Sequence, residues 1–96
     1  MTDSWFSRQD LHEYAEQEGY RKKDASMLWR LIEDELRLPE GDYPGLQLQP
    51  SANYRFEVSL TSLVAARDKA WPHMVHNYGP LMHQLFCGWV GWLQEE

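Results

Sequence analysis

Residues 79–93 read GPLMHQLFCGWVGWL, and this stretch decides how the chain folds. Gly79 and Pro80 end one helix and begin another, because proline suits the first helical position. At roughly 100° per residue, the apolar side chains after this break span an arc of about 180°. They are Leu81, Met82, Leu85, Phe86, Trp89, Val90, Trp92 and Leu93. Packing on one surface needs little more than about 100°, so the pattern predicts a helix over about 80–94 that is either central to the core or shared between core and interface.

The first third of the chain predicts two more helices joined by a short connection. Ser7 is a good helix cap and Gly19 a good helix end, which bounds a helix over about 8–18. Residues 21–23 form a basic connection. Helical spacing resumes over 25–37, where apolar residues cover more than half of the circumference. A helix this apolar packs on two neighbours, or on one neighbour and a partner.

The middle of the chain predicts strands. Proline and glycine are concentrated in residues 39–53, and apolar and polar residues alternate at 46–49 and again at 54–60. A third helical segment follows from Thr61 or Ser62, with a kink or a break at Pro72. The fold class is therefore mainly α (α+β): four to five short helices with a two-stranded β-hairpin inserted around residues 46–60, in one compact domain spanning 1–96.

Composition indicates an acidic globular protein. The 96 residues carry a net charge of −6, with a pI near 5.1, and most of the excess lies in the first half. Such charge favours basic partners and disfavours anionic membranes and nucleic-acid backbones. Cys87 is the only cysteine, which excludes an internal disulfide. The first residues resemble no signal peptide and no stretch is long enough to span a membrane, so we expect a cytoplasmic protein.

The leading functional hypothesis is a non-enzymatic protein-binding module: a small acidic regulator, inhibitor or accessory subunit. Five tryptophans are many for this length, and exposed tryptophan is a typical binding anchor. The candidate anchors are Trp89, Trp92, Phe86, Trp71 and Trp5. Asp10 and Glu13 would meet a basic partner surface. A related hypothesis is a homodimer formed through the C-terminal helix. The alternative to both is that the aromatic rings all belong to the core and bind no partner.

One set of residues has metal-ligand character. His73 and His76 are one helical turn apart, as are His83 and Cys87, and the two pairs lie on either side of the break at Gly79. Together they would form a His3Cys zinc site. Histidine and cysteine residues at this spacing are more often unrelated surface residues than ligands of one metal ion. The sequence has no Walker loop, dinucleotide fingerprint or nucleophile elbow. We therefore expect the protein to have no enzymatic activity and to need no cofactor.

A DNA-binding regulator is the other alternative. Two helices with a short connection, followed by a β-hairpin, resemble a helix-turn-helix with a wing. The phosphate-contacting residues would be Lys22, Lys23, Arg30 and Arg37. Glu33 and Asp34 share the exposed face of the second helix, and acidic side chains there argue against base reading.

Overall fold

The computed structural model describes residues 3–95, except for the side chains of residues 71–78. The chain begins with a short strand β1 (Trp5–Phe6), followed by helices α1 (Arg8–Gln17) and α2 (Lys22–Leu31). A π-helical segment (Ile32–Leu36) extends α2. The mainly α architecture with a small antiparallel sheet agrees with the fold class predicted from the sequence.

The second half contains two strands and two helices. Strands β2 (Leu48–Pro50) and β3 (Phe56–Ser59) form the predicted hairpin, with Gln49 opposite Glu57. Helix α3 (Leu60–Ala65) continues as a π-helical segment (Ala66–Ala70). Helix α4 (Trp71–Gln94) then runs almost to the end of the described chain.

The sheet has three strands where the sequence predicted two. β1 pairs with β3 in antiparallel register, Trp5 opposite Ser59 and Phe6 opposite Val58, which gives the order β1-β3-β2. Alternation of apolar and polar residues revealed β2 and β3, whereas a two-residue strand is too short to show any period. β1 leads directly into α1, so the sheet fixes where the first helix begins.

Two helix starts also differ from the predicted positions. α2 begins at Lys22, not near Ala25, so most of the supposed basic connection belongs to the first helical turn. The cap of α3 is Ser59, whose hydroxyl accepts the Ser62 N–H at 3.2 Å, and not Thr61 or Ser62. At α3 the cap lies upstream of the predicted position and accepts a first-turn N–H, whereas at α2 Asp24 lies inside the first turn and accepts the backbone N–H of Arg21.

The predicted break at Gly79 is present inside α4. Gly79 has φ +77° and ψ 169°, which is not helical and which side chains with a Cβ rarely adopt. Residues 80–94, hereafter the C-terminal arm, form the part of α4 after this break. The arm packs into a single core with the other helices and with Val58 of the sheet.

The segment between α2 and the sheet is tied back to the end of α2. The Tyr43 hydroxyl donates to the Leu36 carbonyl, and the Leu46 N–H donates to the same oxygen at 3.1 Å. Burial strongly raises the pKa of the Tyr43 phenol, which stays protonated and can donate. Gly45 has φ +89° and lies so close to the Arg37 carbonyl that a Cβ would be 2.5 Å away. The hairpin is thereby held near α2.

Candidate functional site

The α1–α2 unit is built by strong local signals. The Ser7 N–H donates to the Asp10 carboxylate at 2.8 Å, which caps α1 as predicted. At the other end, the Tyr20 N–H donates to the Ala15 carbonyl at 2.9 Å and the Gly19 N–H to Glu16 at 3.2 Å. This is a Schellman motif, with Gly19 at φ +81°. Four residues, 18–21, thus connect the two helices.

A second carboxylate caps α2. Asp24 is buried and accepts from the Arg21 backbone N–H at 3.3 Å, while the Arg21 guanidinium pairs with the same carboxylate. The charges of Arg21 and Asp24 therefore offset each other locally. Lys22 and Lys23 stay exposed in the first turn of α2 and have no such acidic partner among the described residues.

The loop of the hairpin, residues 51–55, lies against the flank of α2. Phe56 stacks on Trp29 with ring centroids 5.2 Å apart and planes 13° from parallel. Arg55, 85% exposed, approaches Glu33 at 3.9 Å. These two contacts set the position of the loop beside the helix. We call residues 51–55 the wing.

Six exposed cations surround α2 and the wing. Lys22, Lys23 and Arg30 lie along the outer side of α2, and Arg37 follows its π-helical extension. Arg8 comes from the start of α1 and Arg55 from the wing. They represent six of the nine lysine and arginine residues of the chain, and we call them the basic face. Glu33, Asp34 and Glu35 are the acidic side chains beside them on the π-helical extension of α2.

Two open grooves border the basic face and share Arg8. One, of about 470 Å³, runs between α2 and the wing and is lined by Arg8, Trp29, Glu33 and residues 52–56. The other, of about 740 Å³, runs between α1 and α2. Its lining includes Arg8, Gln9, His12, Glu13, Glu16, Tyr20, Lys22 and Ser26. Arg8 therefore connects the wing side of α2 to the α1 side.

His12 is the titratable group most affected by this arrangement. Burial lowers the pKa of its imidazole, and the positive charges of Arg8 and Lys22 lower it further. The ring is half-buried on the wall of the α1–α2 groove. It is therefore mainly neutral near pH 7.

The predicted aromatic anchors occupy different environments. Trp89 and Phe86 are completely buried in the core, so neither ring is available to a partner in this conformation. Trp92 is half-buried and packs on Tyr14 with ring centroids 5.5 Å apart. Trp5 is half-buried in β1. The side chain of Trp71 lies outside the described residues.

The two predicted acidic contacts also differ. The Asp10 carboxylate is engaged in the α1 cap, so part of its hydrogen-bonding capacity is already used. Glu13 is exposed and accepts from the Gln9 amide at 3.4 Å. Glu16 and Glu18 are exposed on the same helix and its cap. We call Glu13, Glu16 and Glu18 the acidic face.

The predicted zinc ligands are only partly described. His83 and Cys87 are half-buried in the C-terminal arm, while the side chains of His73 and His76 lie outside the described residues. Among the described side chains, no three His, Cys, Asp or Glu residues are grouped as metal ligands would be. Burial raises the pKa of the Cys87 thiol, and nearby Arg67 partly opposes this. A thiol of raised pKa is a poor nucleophile near pH 7.

Sequence reasoning missed Arg8, His12 and Arg55 as members of this surface. Arg8 and His12 occur one helical turn apart, which predicts a shared side of α1 but not which element faces it. Arg55 is 25 or more residues from any cation of α2. Only the docking of the wing on α2 brings them together.

A scan of protein-family models, a search of curated proteins and a search of solved structures each found no match to this chain. Among the described residues, no helix has the length and apolar character needed to cross a membrane.

Proposed function

We propose that this protein is a nucleic-acid-binding regulator of the helix-turn-helix type, in which α2 enters the major groove of duplex DNA and the wing contacts the flanking backbone. The observation that carries this proposal is the basic face. It combines Lys22, Lys23 and Arg30 of α2 with Arg8 and with Arg55 of the wing. Such cations around an exposed helix supply the salt-dependent, phosphate-directed part of DNA affinity.

The order of the elements supports the same function. Two helices with a four-residue, glycine-containing connection precede a β-hairpin whose loop lies beside the second helix. β1 adds a third strand to that hairpin. Helix-turn-helix domains use this kind of connection to present the second helix outward.

The net charge of −6 is only partly separated from the basic face, since Glu33, Asp34 and Glu35 lie on the π-helical extension of α2 and Glu13 and Glu16 line the α1–α2 groove with Arg8 and Lys22. The acidic face lies on α1, and Glu40 and Asp42 lie in the segment before the sheet. Of the side chains beside the basic face, Glu33 is paired with Arg55. At physiological salt the screening length is about 8 Å, so a bound phosphate responds mainly to the nearest charges.

Fluorescence anisotropy with a labelled duplex of mixed sequence tests the proposal. We expect binding at about 50 mM salt, with affinity falling steeply as salt rises, by a log–log slope of about −0.9 for each phosphate contacted. Lys23→Ala and Arg30→Ala are each expected to reduce the slope by about 1. Lys69→Ala, an exposed lysine outside the basic face, is the matched control. Absence of binding by the wild-type protein at low salt would dispose of the proposal.

A second candidate function is protein binding. It is supported by the exposed acidic face together with the half-buried Trp92 beside Tyr14. Exposed acidic side chains and a partly exposed tryptophan both suit a partner with a basic surface. The two functions are compatible, since a DNA-binding regulator commonly contacts another protein. An affinity capture from cell lysate in which Trp92→Ala loses a partner retained by Trp5→Ala would support it.

A further inference from the structure

Three basic side chains, Arg8, His12 and Lys22, line the groove between α1 and α2. Arg8 and His12 come from α1, one helical turn apart, and Lys22 comes from the first turn of α2. Arg8 and Lys22 are exposed, while the His12 ring is half-buried between them and the core. The groove, of about 740 Å³, is open to solvent and large enough for a phosphate group.

His12 has free hydrogen-bonding capacity at this place. Within residues 3–95, leaving aside the side chains of 71–78, no hydrogen bond or ion pair occupies its imidazole. The ring nitrogens of His12 are not among the buried polar atoms that lack a partner, so they are open to solvent and can bond a group in the groove. An anion in the groove would be such a group.

We infer that the part of this groove lined by Arg8, His12 and Lys22 holds one backbone phosphate of the bound nucleic acid, and that His12 takes up a proton from solvent when it does so. This inference rests on the function proposed above and adds a specific contact to it. The product is an imidazolium that donates to a phosphate oxygen, flanked by a guanidinium and an ammonium group. Such charge-assisted bonds are about twice as strong as neutral ones.

Proton uptake follows from the charges that face His12. In the free protein, burial lowers the pKa of His12, and so do Arg8 from its own helix and Lys22 from α2. A phosphate between these two cations offsets their repulsion and accepts a bond from the ring, and both effects raise the pKa. Glu13, Glu16 and Tyr20 also line the groove, and the two carboxylates favour the imidazolium.

The direction of the pH dependence is then determined. At a pH between the pKa of His12 in the free protein and its higher pKa in the complex, the complex binds more protons than the free protein. Affinity therefore rises as pH falls through this range. Uptake of a full proton would change the dissociation constant tenfold per pH unit. Since the free pKa lies below 6.5 and each pKa unit is worth tenfold, we expect binding about three- to fivefold tighter at pH 6 than at pH 8.

The test compares wild type with His12→Gln, using the same mixed-sequence duplex at constant ionic strength at pH 6 and pH 8. The glutamine variant keeps a hydrogen-bond donor but cannot titrate, so its affinity should change less than about twofold. His83→Gln is the matched control, because His83 lies in the C-terminal arm and should retain the wild-type pH response. Circular dichroism confirms that each variant is folded.

A second measurement uses unaltered protein. The NMR titration of the His12 ring should shift to higher pH when the duplex is added, by about half a unit or more. Duplex binding with the same pH response in wild type and His12→Gln, or with an unshifted His12 titration, would overturn the inference and leave the DNA-binding proposal standing. Failure of every protein to bind duplex at low salt would overturn both.

Discussion

The C-terminal arm and α2 are both rich in apolar residues, but the fold uses them differently. The arm buries most of its apolar side chains and leaves only Leu81 strongly exposed, at 41%. α2 buries Leu28, Trp29 and Leu31 on one side and exposes Met27 at 55% among lysine and arginine on the other. The arm therefore serves mainly the core, whereas α2 divides its surface between the core and solvent. Substitutions in the arm are therefore expected to change stability, and substitutions beside α2 to change binding.

The largest expected effect comes from truncating the arm's central ring. Trp89→Ala removes a completely buried side chain, and we expect it to lower the free energy of unfolding by about 3–5 kcal/mol. Trp92→Ala removes a half-buried ring from the same helix and should cost about 1–2 kcal/mol. Urea unfolding followed by circular dichroism measures both. Equal costs would mean that the arm does not have a buried and a partly exposed side.

The next largest effect on stability is expected at the contact between the arm and α1. A Cβ at Gly88 would overlap the Tyr14 hydroxyl, whereas a Cβ at Gly91 would meet nothing within 4 Å. Gly88→Ala should therefore destabilise the protein by about 1–3 kcal/mol. Gly91→Ala should stabilise it by about 0.5–1 kcal/mol, because alanine favours helix.

Tyr14→Phe checks the cause of the Gly88 effect. Removing the hydroxyl leaves the ring carbon Cζ at 3.4 Å from the added Cβ, which is an ordinary contact distance. The double variant Gly88→Ala/Tyr14→Phe should recover most of the lost unfolding free energy in a double-mutant cycle. If the effects of the two substitutions on the free energy of unfolding are additive, the closeness of the Tyr14 hydroxyl is not the reason that position 88 requires glycine.

A smaller effect is expected on the α2 side, in binding and not in stability. Glu33→Gln removes a carboxylate beside the basic face and releases Arg55 from its 3.9 Å ion pair. Duplex affinity should rise about two- to fivefold, since one repulsive charge is removed near the phosphates. Glu40→Gln makes the same charge change away from α2 and should alter affinity much less. Weaker binding by Glu33→Gln would indicate that the pair with Arg55 positions the wing.

The smallest effect concerns acid stability at the edge of the sheet. Burial tends to raise the pKa of the Asp3 carboxyl, but hydrogen bonds from Ser59, Thr61 and Ser4 outweigh it, and the net pKa lies below 3.8. The stability that Asp3 contributes is therefore present above its unfolded pKa and lost as pH falls through its folded pKa. Asp3→Asn should reduce the loss of stability on going from pH 5 to pH 3. An unchanged pH profile would contradict this role.

Local chemistry made much of the fold predictable. The cap of α1 and the Gly19 end depend on residues three to five positions apart, and the structure has both. The hairpin followed from alternation, and the break at Gly79 followed from the glycine–proline pair. The start of α2 was misplaced because Asp24 satisfies the N–H group of Arg21, three residues earlier, and does not itself stand at the cap.

The candidate site was less predictable, because its members come from distant positions. Four cations near α2 could be named from the sequence, but Arg8 and Arg55 required the tertiary fold. The aromatic anchors show the same limit. Helical spacing indicated a wide apolar arc in the arm, yet spacing cannot tell how many neighbouring elements cover that arc, and Trp89 and Phe86 are fully covered.

By itself, the sequence determined the mainly helical architecture, the hairpin, the helix ends and the uneven distribution of charge. These features depend on periodicity and on groups within a few residues, where the chain needs little entropy loss to bring partners together. Tertiary structure alone decided that β1 pairs with β3 across more than fifty residues, that the wing rests on α2, and that Arg8, His12 and Lys22 share one groove. Those contacts form only when the apolar side chains of distant segments are buried together, which no local pattern encodes.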